Sequence, residues 1–358
     1  MNKKIAVIYL CYGCEKYIPG FVAGLLKIDN KEDVKVFMVT NNSPDNIAEV
    51  TRREILPRSG KDLPEVELID NDTNLGFSHG NNIGIRQALA EGFDYIYLHN
   101  GDLQLRADSL SEAVKMAESS EDIGSVQSLV LYWNDDSVIN TSGGAFHIAG
   151  YGYARNNLDK LAETKLIDGE DLPYASGAAV LYKAEVLKKV GLLEEGFFMY
   201  HEDLELGLRI KIAGYINVLA THSRVIHDYQ FSRNPKMFAW TELYRWVVVL
   251  GYYKVATLIL IMPLLLVIEL GTWLMALRGG WLPAKFWAYK EMGKARTYKL
   301  IFHLRSRARE LRVIKDKEIL KLTVGTIEAQ EQHNPVVEYV ANPIISFALF
   351  VIRKIVIW

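Results

Sequence analysis

Two adjacent carboxylates, Glu202 and Asp203, stand inside the largely apolar stretch GFFMYHEDLELGLR. Carboxylates are costly to desolvate and seldom lie beside such a run unless something offsets that cost. One use for them is chemical, because a carboxylate within hydrogen-bond reach of a hydroxyl group can remove its proton. The other is structural, because the helix dipole favours acidic residues in the first turn of a helix. Taken alone, the pair favours the structural interpretation.

A third carboxylate, Asp102, closes the segment HNGD directly after the run YIYL. At the carboxyl end of a strand, such a side chain can hold a divalent cation against a diphosphate and leave other metal positions to phosphate oxygens and water. The same four residues also suit a turn, which Asn-Gly followed by Asp commonly forms. In isolation, HNGD favours the turn.

A polar loop, NDTNLGFSHGNN, has features that suit an anionic ligand. Gly76 and Gly80 allow the backbone to approach a ligand closely, and Asn81 or Asn82 is placed to cap the helix that follows. The N-terminus of a helix favours a negative charge. The loop matches neither a Walker sequence nor a dinucleotide-binding fingerprint, so it does not identify a nucleotide site by itself.

These polar segments separate alternating strands and helices. The hydrophobic pattern predicts strands at 5–10, 34–40, 66–70, 95–98 and 124–131, and helices at 18–27, 47–56, 81–91 and 109–119. Strands interleaved with helices indicate a mostly parallel sheet covered on both faces. Ligands of such sheets bind at the carboxyl ends of the strands, where TNNSPD, the NDTNLG loop and HNGD lie.

Together and in this order, the segments resemble a family 2 glycosyltransferase with the GT-A nucleotide-sugar fold, of the kind similar to bacterial rhamnosyltransferases. The resemblance covers about residues 4 to 230 and includes IAVIYLCYG, VFMVTNNSPD, NLGFSHGNN, YIYLHNGD and SGAAVLYKAEVLKKVGLLEEGFFMYHEDLELGLR. The combination is far more specific than any one motif. It implies an α/β domain on a mostly parallel mixed sheet, followed by membrane-associated helices.

The resemblance implies roles for the paired acids. Asp203 falls where the family has its catalytic base, and Glu202 would support it by orienting the acceptor. The family places this base in a helix, whereas the alternation of Leu204, Leu206 and Leu208 fits a strand. We adopt the helix on the strength of the resemblance.

The resemblance also implies a divalent cation, Mg²⁺ or Mn²⁺. Asp102 corresponds to the last acid of the family's metal-binding Asp-x-Asp element, and His227 in SRVIHDY is the natural second ligand. An ordinary loop histidine is an equally good interpretation of His227. Asn100 stands where the first acid of the element is expected, which implies weaker or more donor-dependent metal binding.

The resemblance also implies a binding site for a nucleotide-sugar donor. The residues assigned to it are Thr40, Asn42, Asp45, Asn74, Gly76, Phe77, Asn81, Asn82 and Asn100. Thr40 departs from the family pattern, which commonly has an aspartate there to meet the base of the nucleotide.

The charge of the chain is unevenly distributed, although the net value is only −2 over 358 residues. Residues 278–317 hold twelve Lys or Arg against three Asp or Glu, a composition suited to an anionic surface. The start MNKKIAVIYL is too short and too alternating for a signal peptide. The first domain is therefore expected in the cytoplasm.

The segment 247–277 is almost wholly apolar and long enough for one bilayer crossing, which needs about 20 residues. One crossing would put the basic block on the far side from the first domain, against the positive-inside tendency. We therefore expect a helix that enters, bends near Pro263 and returns, or one that lies in the interface. PIISFALFVIRKIVIW suggests a second shallow membrane contact. The alternative is a buried pair of soluble helices.

These observations predict two domains: a GT-A catalytic domain at 1–235, with a donor half at 1–132 and an acceptor half at 133–235, and membrane-associated helices at 236–358. The resemblance implies an inverting, metal-dependent transfer of a sugar, with rhamnose a candidate, from a nucleotide sugar to a lipid-linked glycan at the cytoplasmic face of the cell membrane. No nucleic acid is expected as a partner. Two alternatives stay open. The first is transfer of the sugar to polyprenyl phosphate itself. The second is a non-catalytic glycan-binding or scaffold subunit, which is considered because Thr40 and Asn100 depart from the family pattern.

Overall fold

The computed structural model describes residues 3–229, 235–327 and 335–358. Within them the chain forms two compact units. The first unit contains residues 3–144, 154–210 and 215–229, and the second contains 145–153, 211–214, 235–327 and 335–358. Two short segments, 145–153 and 211–214, therefore belong to the second unit although they precede most of it in sequence.

The described strands fall into two sheets. In chain order they are β1 (Ile5–Cys11), β2 (Val34–Asn41), β3 (Glu65–Asn71), β4 (Tyr95–Asn100), β5 (Leu103–Leu105), β6 (Ile123–Tyr132), β7 (Ile139–Thr141), β8 (Gly144–His147), β9 (Gly152–Ala154), β10 (Asp171–Leu172), β11 (Ala179–Lys183), β12 (Ile216–His227) and β13 (Thr323–Val324). The larger sheet has the order β10-β12-β6-β11-β4-β1-β2-β3, with β5 on β12 and β7 on β6. The smaller sheet has the order β13-β8-β9.

The larger sheet is mixed, as expected. Strands β3, β2, β1 and β4 are mutually parallel, whereas β11 runs antiparallel to both of its neighbours. Every residue of β2 and nearly every residue of β1 is buried. Parallel strands covered on both faces read as continuous apolar runs, which is why the sequence predicts these strands well.

The described helices follow the strands of the first unit and then make up most of the second. They are α1 (Ile18–Leu25), α2 (Ile47–Val50), α3 (Gly76–Ala90), α4 (Ser109–Glu118), α5 (Ala184–Val190), α6 (Glu202–Ile212), α7 (Pro235–Tyr252), α8 (Val255–Gly279), α9 (Leu282–Met292), α10 (Ala295–Leu311), α11 (Asp316–Leu322) and α12 (Asn342–Ile355). Helix α2 continues as a π-helical turn over Thr51–Ile55.

The segment that begins with the acidic pair is a helix, α6, as the resemblance implied. Its alternating Leu204, Leu206 and Leu208 are each only 1% exposed. A helix that is buried on all sides does not need the apolar stripe of a surface helix. The strand-like alternation therefore reflects complete burial rather than a strand.

Helix α8 is uninterrupted from Val255 to Gly279 and continues through Pro263. An uninterrupted helix does not reverse direction, so the return expected near Pro263 is wrong. In the parts of the chain that the structure describes, α8 is the one helix long and apolar enough to cross a membrane.

Candidate active site

The carboxyl ends of four parallel strands meet at one edge of the larger sheet. Cys11 of β1 pairs with Thr40 of β2, Thr40 pairs with Asp70 of β3, and Leu10 of β1 pairs with Asn100 of β4. The turns that follow these strands are therefore neighbours. This is the edge at which parallel sheets bind ligands.

Asp102 and His227 lie side by side although 125 residues separate them in sequence. Strand β5, which begins directly after Asp102, pairs antiparallel with the end of β12, so that Leu103 is opposite His227. Asp102 Oδ1 lies 3.0 Å from His227 Nε2, and Asn140 Oδ1 lies 3.0 Å from His227 Nδ1. The structure thus brings the two predicted metal ligands together.

The surroundings of His227 allow a test of whether this pair suits a cation. Both ring nitrogens face oxygen acceptors, yet a neutral imidazole has one N–H and satisfies only one of them. With Nε2 on a cation, the Nδ1–H would donate to Asn140, an arrangement usual for metal-bound histidines. Neighbouring ligands of an octahedral ion, with bonds of about 2.1 Å, lie about 3 Å apart. The separation of the pair is therefore compatible with a divalent cation. An ion pair between Asp102 and a protonated His227 is the other arrangement that these distances allow.

Such a cation would have few protein ligands. Among residues 3–229, 235–327 and 335–358, no group of three or more His, Cys, Asp or Glu side chains forms a metal site. Two protein ligands leave several positions for phosphate oxygens and water, as in sites where the substrate completes the coordination. Burial raises the pKa of Asp102, but the hydrogen bond and charge of His227 outweigh it and leave that pKa below its ordinary value.

The HNGD segment forms a turn, and this turn carries Asp102. Tyr9 donates its hydroxyl to the carbonyl oxygen of Gly101 over 2.8 Å. A Cβ atom at position 101 would lie 2.7 Å from the Cys14 sulfur, so a glycine is needed there. Asn100 donates its backbone N–H to the carbonyl oxygen of Ala178 over 3.0 Å. The turn and cation interpretations are therefore compatible.

Asp203 lies in the first turn of α6 and accepts two backbone hydrogen bonds. Gly177 donates its N–H to Oδ2 over 3.1 Å, and Leu204 donates its N–H to Oδ1 over 2.7 Å. Burial raises the pKa of Asp203, and these hydrogen bonds offset part of the rise. A carboxylate with raised proton affinity is better suited to general base catalysis near neutral pH.

Glu202 is placed differently from its neighbour. It is 5% exposed, and its Oε2 has no hydrogen-bond partner among the described residues. Burial, together with the charge of Asp203, raises the pKa of Glu202 well above its usual range. An unpartnered buried carboxyl group is far less costly in its neutral form. Asp203, with two donors, is therefore the better ionised carboxylate of the two.

The donor loop NLGF contacts the segment that leads into α6. Phe77 donates its backbone N–H to the carbonyl oxygen of Phe198 over 2.7 Å. Gly76 has a φ of +81°, and a Cβ atom there would lie 2.4 Å from that same oxygen.

Tyr200 and His201 each have a φ of +69°, a conformation that costs about 1–3 kcal/mol per residue and is typical of functional sites.

Two of the predicted donor residues, Thr40 and Asn74, are held by neighbours that sequence reasoning missed. Thr40 donates its hydroxyl to Asp70 on the adjacent strand. Asn41 donates its Nδ2–H group to Asn74 Oδ1 over 3.1 Å and to the Gly76 carbonyl oxygen over 3.0 Å. Asn41 thus ties the end of β2 to the donor loop, and its position within TNNSPD was the available signal.

Asn42 and Asp45 lie in the TNNSPD turn. Asn42 is exposed and has a φ of +50°. Asp45 Oδ2 accepts the backbone N–H of Glu15 over 2.8 Å. A cavity of about 370 Å³ lies beside Asp45 and is also lined by Gly13, Glu15, Lys16 and Pro19. All five lining residues belong to the first unit and follow β1 or β2 in the chain.

Asn81 and Asn82 do not cap the helix, so that interpretation is wrong. Helix α3 begins at Gly76, and both asparagines are buried in its second turn. Asn81 donates its Nδ2–H group to the Phe77 carbonyl oxygen over 3.0 Å. Asn82 donates to the Leu193 carbonyl oxygen over 2.8 Å and accepts the Leu193 N–H over 3.2 Å. These contacts fix α3 against the loop before α6.

Comparisons with known sequences agree with this arrangement. Residues 3–248 match the sequence profile of the family described as Glycosyltransferase like family 2. N-acetylglucosaminyl-diphospho-decaprenol L-rhamnosyltransferase from Mycobacterium tuberculosis is 23% identical over 245 residues, which cover 63% of this chain and 76% of the relative. Rhamnosyltransferase WbbL from Escherichia coli K12 is 21% identical over 252 residues, which cover 68% of this chain and 89% of the relative.

Comparison with solved structures supports the fold. Mannosyltransferase PcManGT from Pyrobaculum calidifontis, in complex with GDP-Man and Mn²⁺, is similar to this chain with a TM-score of 0.51 and 15% identity. The similarity covers 99% of this chain and 88% of the mannosyltransferase. The GT-A fold expected from the sequence is confirmed.

Proposed function

The chain belongs to the family Glycosyltransferase like family 2, and on that premise we propose that it is an inverting transferase that moves a sugar from a nucleotide sugar to a lipid-linked glycan. Rhamnose is the first candidate sugar, since two relatives are named as rhamnosyltransferases. The observation that carries the proposal is the turn at 176–178. Gly177 of this turn bonds to Asp203, and Ala178 bonds to Asn100, two residues before Asp102.

In the proposed reaction, an acceptor hydroxyl attacks the anomeric carbon while the nucleoside diphosphate leaves from the opposite face. The C–O bond to the acceptor forms as the C–O bond to the diphosphate breaks. Asp203 accepts the hydroxyl proton, because a sugar hydroxyl is a poor nucleophile without a base. Glu202, buried and neutral, supports Asp203 and leaves it as the ionised member of the pair.

Asp102 and His227 are the residues proposed to hold a divalent cation, Mg²⁺ or Mn²⁺. A bound cation would supply positive charge to the leaving diphosphate. Asn140 orients the His227 ring through Nδ1. The complex of the similar mannosyltransferase contains Mn²⁺, which supports a cation of this class.

The proposed donor site comprises the ends of β1 to β4 and the donor loop. Thr40, Asn42, Asp45, Asn74, Gly76, Phe77 and Asn100 border it, whereas Asn81 and Asn82 support it from within α3. The M. tuberculosis relative is named for a decaprenol-linked acceptor. We therefore propose a prenyl-diphosphate-linked glycan as the acceptor class, at the cytoplasmic face of the membrane.

A screen of nucleotide sugars by thermal shift, with and without Mn²⁺, tests the donor proposal. A ligand that binds only the folded chain raises its stability, by about 2.7 kcal/mol at a hundredfold excess over Kd. The selected donor is then supplied with a prenyl-diphosphate-linked N-acetylglucosamine and, separately, with prenyl phosphate. Transfer to the first acceptor supports the proposal, and transfer to prenyl phosphate alone replaces its acceptor class. No shift and no transfer would favour a non-catalytic glycan-binding subunit.

A further inference from the structure

Two helices of the second unit, α8 and α12, expose apolar side chains. On α8, Ile259, Leu266, Leu270, Leu274 and Leu277 are each more than half exposed. On α12, Ile344, Phe347 and Phe350 are each more than half exposed. We call these eight side chains the apolar face. Soluble monomers rarely expose large apolar patches, and five of these side chains lie on a single helix, α8.

The five named residues of α8 lie along one side of the helix. At 3.6 residues per turn, the five positions from Ile259 to Leu277 fall within about one quarter of the helix circumference. The opposite side is buried from one end to the other, at Thr257, Ile261, Leu265, Ile268, Thr272 and Ala276. Helix α8 therefore has one side in protein and one side open along its whole length.

A cluster of buried charges fixes the middle of α8 to the neighbouring helices. Glu269 of α8 forms ion pairs with Arg245 of α7 and with Lys285 of α9. The Lys285 Nζ to Glu269 Oε1 distance is 2.7 Å, and the Lys285 side chain is fully buried. Arg245 also pairs with Glu242 at 2.9 Å.

This cluster is incompatible with a crossing of the bilayer by α8. If α8 crossed alone, Glu269 would leave Arg245 and Lys285 to share the one buried carboxylate of Glu242. An excess buried positive charge of this kind is strongly unfavourable. If α8 crossed together with α7 and α9, all these charges would enter the hydrocarbon with it. Helix α12 has 14 residues, whereas a crossing needs about 20. Neither helix is therefore built to span.

The charge around the apolar face suits anionic lipids. Helices α8 and α12, both described in full, contain one acidic residue, Glu269, and it is buried. An exposed basic residue, Arg278, lies in the last turn of α8. Further exposed basic residues follow in α9 and α10, among them Lys290, Arg296 and Lys299. Trp287 and Tyr298 are also exposed, and such aromatic residues favour the membrane–water interface. Basic and aromatic residues that are close in sequence to an exposed apolar helix are typical of segments that lie in the interface.

We propose that α8 and α12 lie flat in the boundary between head groups and acyl chains of an anionic bilayer, and that α8 does not cross it. The proposal rests on the membrane location suggested under the proposed function and decides between the arrangements that the sequence left open. In this arrangement the apolar face enters the acyl region while the ion pairs of Glu269 stay covered by protein.

Labelling of the two ends of α8 tests the topology. Val255→Cys and Arg278→Cys are introduced separately into the full chain, at exposed positions on opposite ends of the helix. The native Cys11 and Cys14 are both buried, which keeps the background low. In sealed inside-out vesicles from expressing cells, a membrane-impermeant maleimide should label both variants before permeabilisation. Labelling of one end only after permeabilisation would overturn the proposal.

Vesicle binding tests the face itself. The variant Leu270→Glu/Leu274→Glu should bind vesicles of phosphatidylglycerol and phosphatidylethanolamine at least about tenfold more weakly than the wild type. The reason is that the variant lacks two leucine side chains whose transfer from water into the acyl region favours binding. Ile167→Glu, at a position that is 56% exposed in the first unit, is the matched control and should bind like the wild type. Equal binding by both variants, or no binding by the wild type, would overturn the proposal. The thermal shift caused by the nucleotide sugar reports on folding and on the donor site. If a protein that does not bind vesicles still shows this shift, the membrane proposal fails while the proposed function stands.

Discussion

Gly177 donates its backbone N–H to Asp203 Oδ2 over 3.1 Å. The next residue of the same turn, Ala178, accepts the backbone N–H of Asn100 at the end of β4. One short turn thus joins the proposed base to the end of the strand that precedes Asp102. Removal of the proton and departure of the diphosphate are assigned to groups held by this turn and its neighbours.

Replacement of Asp203 by Asn should abolish most turnover without loss of the fold. Asn retains the size of the side chain and one acceptor oxygen but cannot take a proton. We expect kcat to fall roughly 10²–10⁴-fold, with the donor-induced thermal shift retained. Asp122→Asn, at an exposed carboxylate of the same unit, is the control. Near-wild-type turnover in Asp203→Asn would remove Asp203 from the role of base.

The pH profile of kcat/KM should have an acidic limb that reflects Asp203. The base acts in its ionised form, and burial raises its pKa. Activity should therefore fall, as pH decreases, at values above the ordinary aspartate pKa of about 3.9. The residual activity of Asp203→Asn should lack this limb. A wild-type profile that stays flat to about pH 4 contradicts the assignment.

Glu202→Gln should stabilise the protein at neutral and higher pH. The raised pKa of Glu202 means that, above about pH 4.3, the folded chain keeps a proton that the unfolded chain releases. The free energy of unfolding then falls as pH rises towards the raised pKa. Removal of the ionisable group removes this loss. For a chain of 358 residues, each 1 kcal/mol regained raises Tm by about 1–2 °C.

Calorimetry of Glu202→Gln from pH 4 to pH 8 provides the measurement, with Glu185→Gln at an exposed position as the control. The difference in Tm between Glu202→Gln and the wild type should grow with pH, whereas Glu185→Gln should follow the wild type. A constant difference, or a loss of stability at high pH, would show that Glu202 is ionised in the folded chain.

His227→Ala should weaken Mn²⁺ binding in the presence of the nucleotide that the donor screen identifies. Loss of one of two protein ligands should reduce the affinity by at least about tenfold, and Asn140→Ala should reduce it by about 10–100-fold through the orientation of the ring. His222→Ala, at an exposed histidine on the same strand, is the control. Titration of Mn²⁺ by calorimetry measures the affinities. Equal values for His227→Ala and His222→Ala would exclude His227 as a ligand.

Gly76→Ala should destabilise the protein more than Gly92→Ala does. The two glycines have nearly the same φ, +81° and +80°, but a Cβ atom would lie 2.4 Å from the Phe198 carbonyl oxygen at position 76 and would meet nothing within 4 Å at position 92. The left-handed backbone alone costs about 1–2 kcal/mol, so Gly92→Ala measures that cost. Urea unfolding of both variants isolates the clash, and equal losses would show that the donor loop can shift.

Five strands of the larger sheet were predictable from their apolar residues. Four of them, β1, β2, β4 and β6, are almost wholly buried, whereas β3 is mostly half-buried or exposed. The five strands predicted in the first unit match the structure to within two residues at either end. The start of α3 was not predictable, because its glycines have low helix propensity. In the folded chain, a Cβ atom at Gly80 would lie 2.7 Å from Leu10, and one at Gly84 would lie 2.9 Å from Ile8. These glycines serve close packing of the helix on the sheet, which no local pattern reveals.

Only part of the candidate site could be predicted, because some of its contacts join segments that are far apart in sequence. Asp102, His227 and Asp203 were assigned by resemblance, and the structure places Asp102 beside His227. That contact depends on the register of β5 against β12, which joins segments far apart in sequence. Asn140 and Gly177 act through such distant contacts, and nothing in their local sequence marks them.

The position of β12 has a consequence for synthesis of the chain. Among the described strands of the larger sheet, β12 is the last in sequence, yet it lies in the interior, between β6 and β10. A nascent chain that ends before β12 leaves one edge of β6 open and lacks His227. Pairings between distant segments form late in folding. We therefore expect that partly synthesised chains, which lack His227, do not bind the donor with the help of the cation. Activity and the covering of the β6 edge are then acquired together.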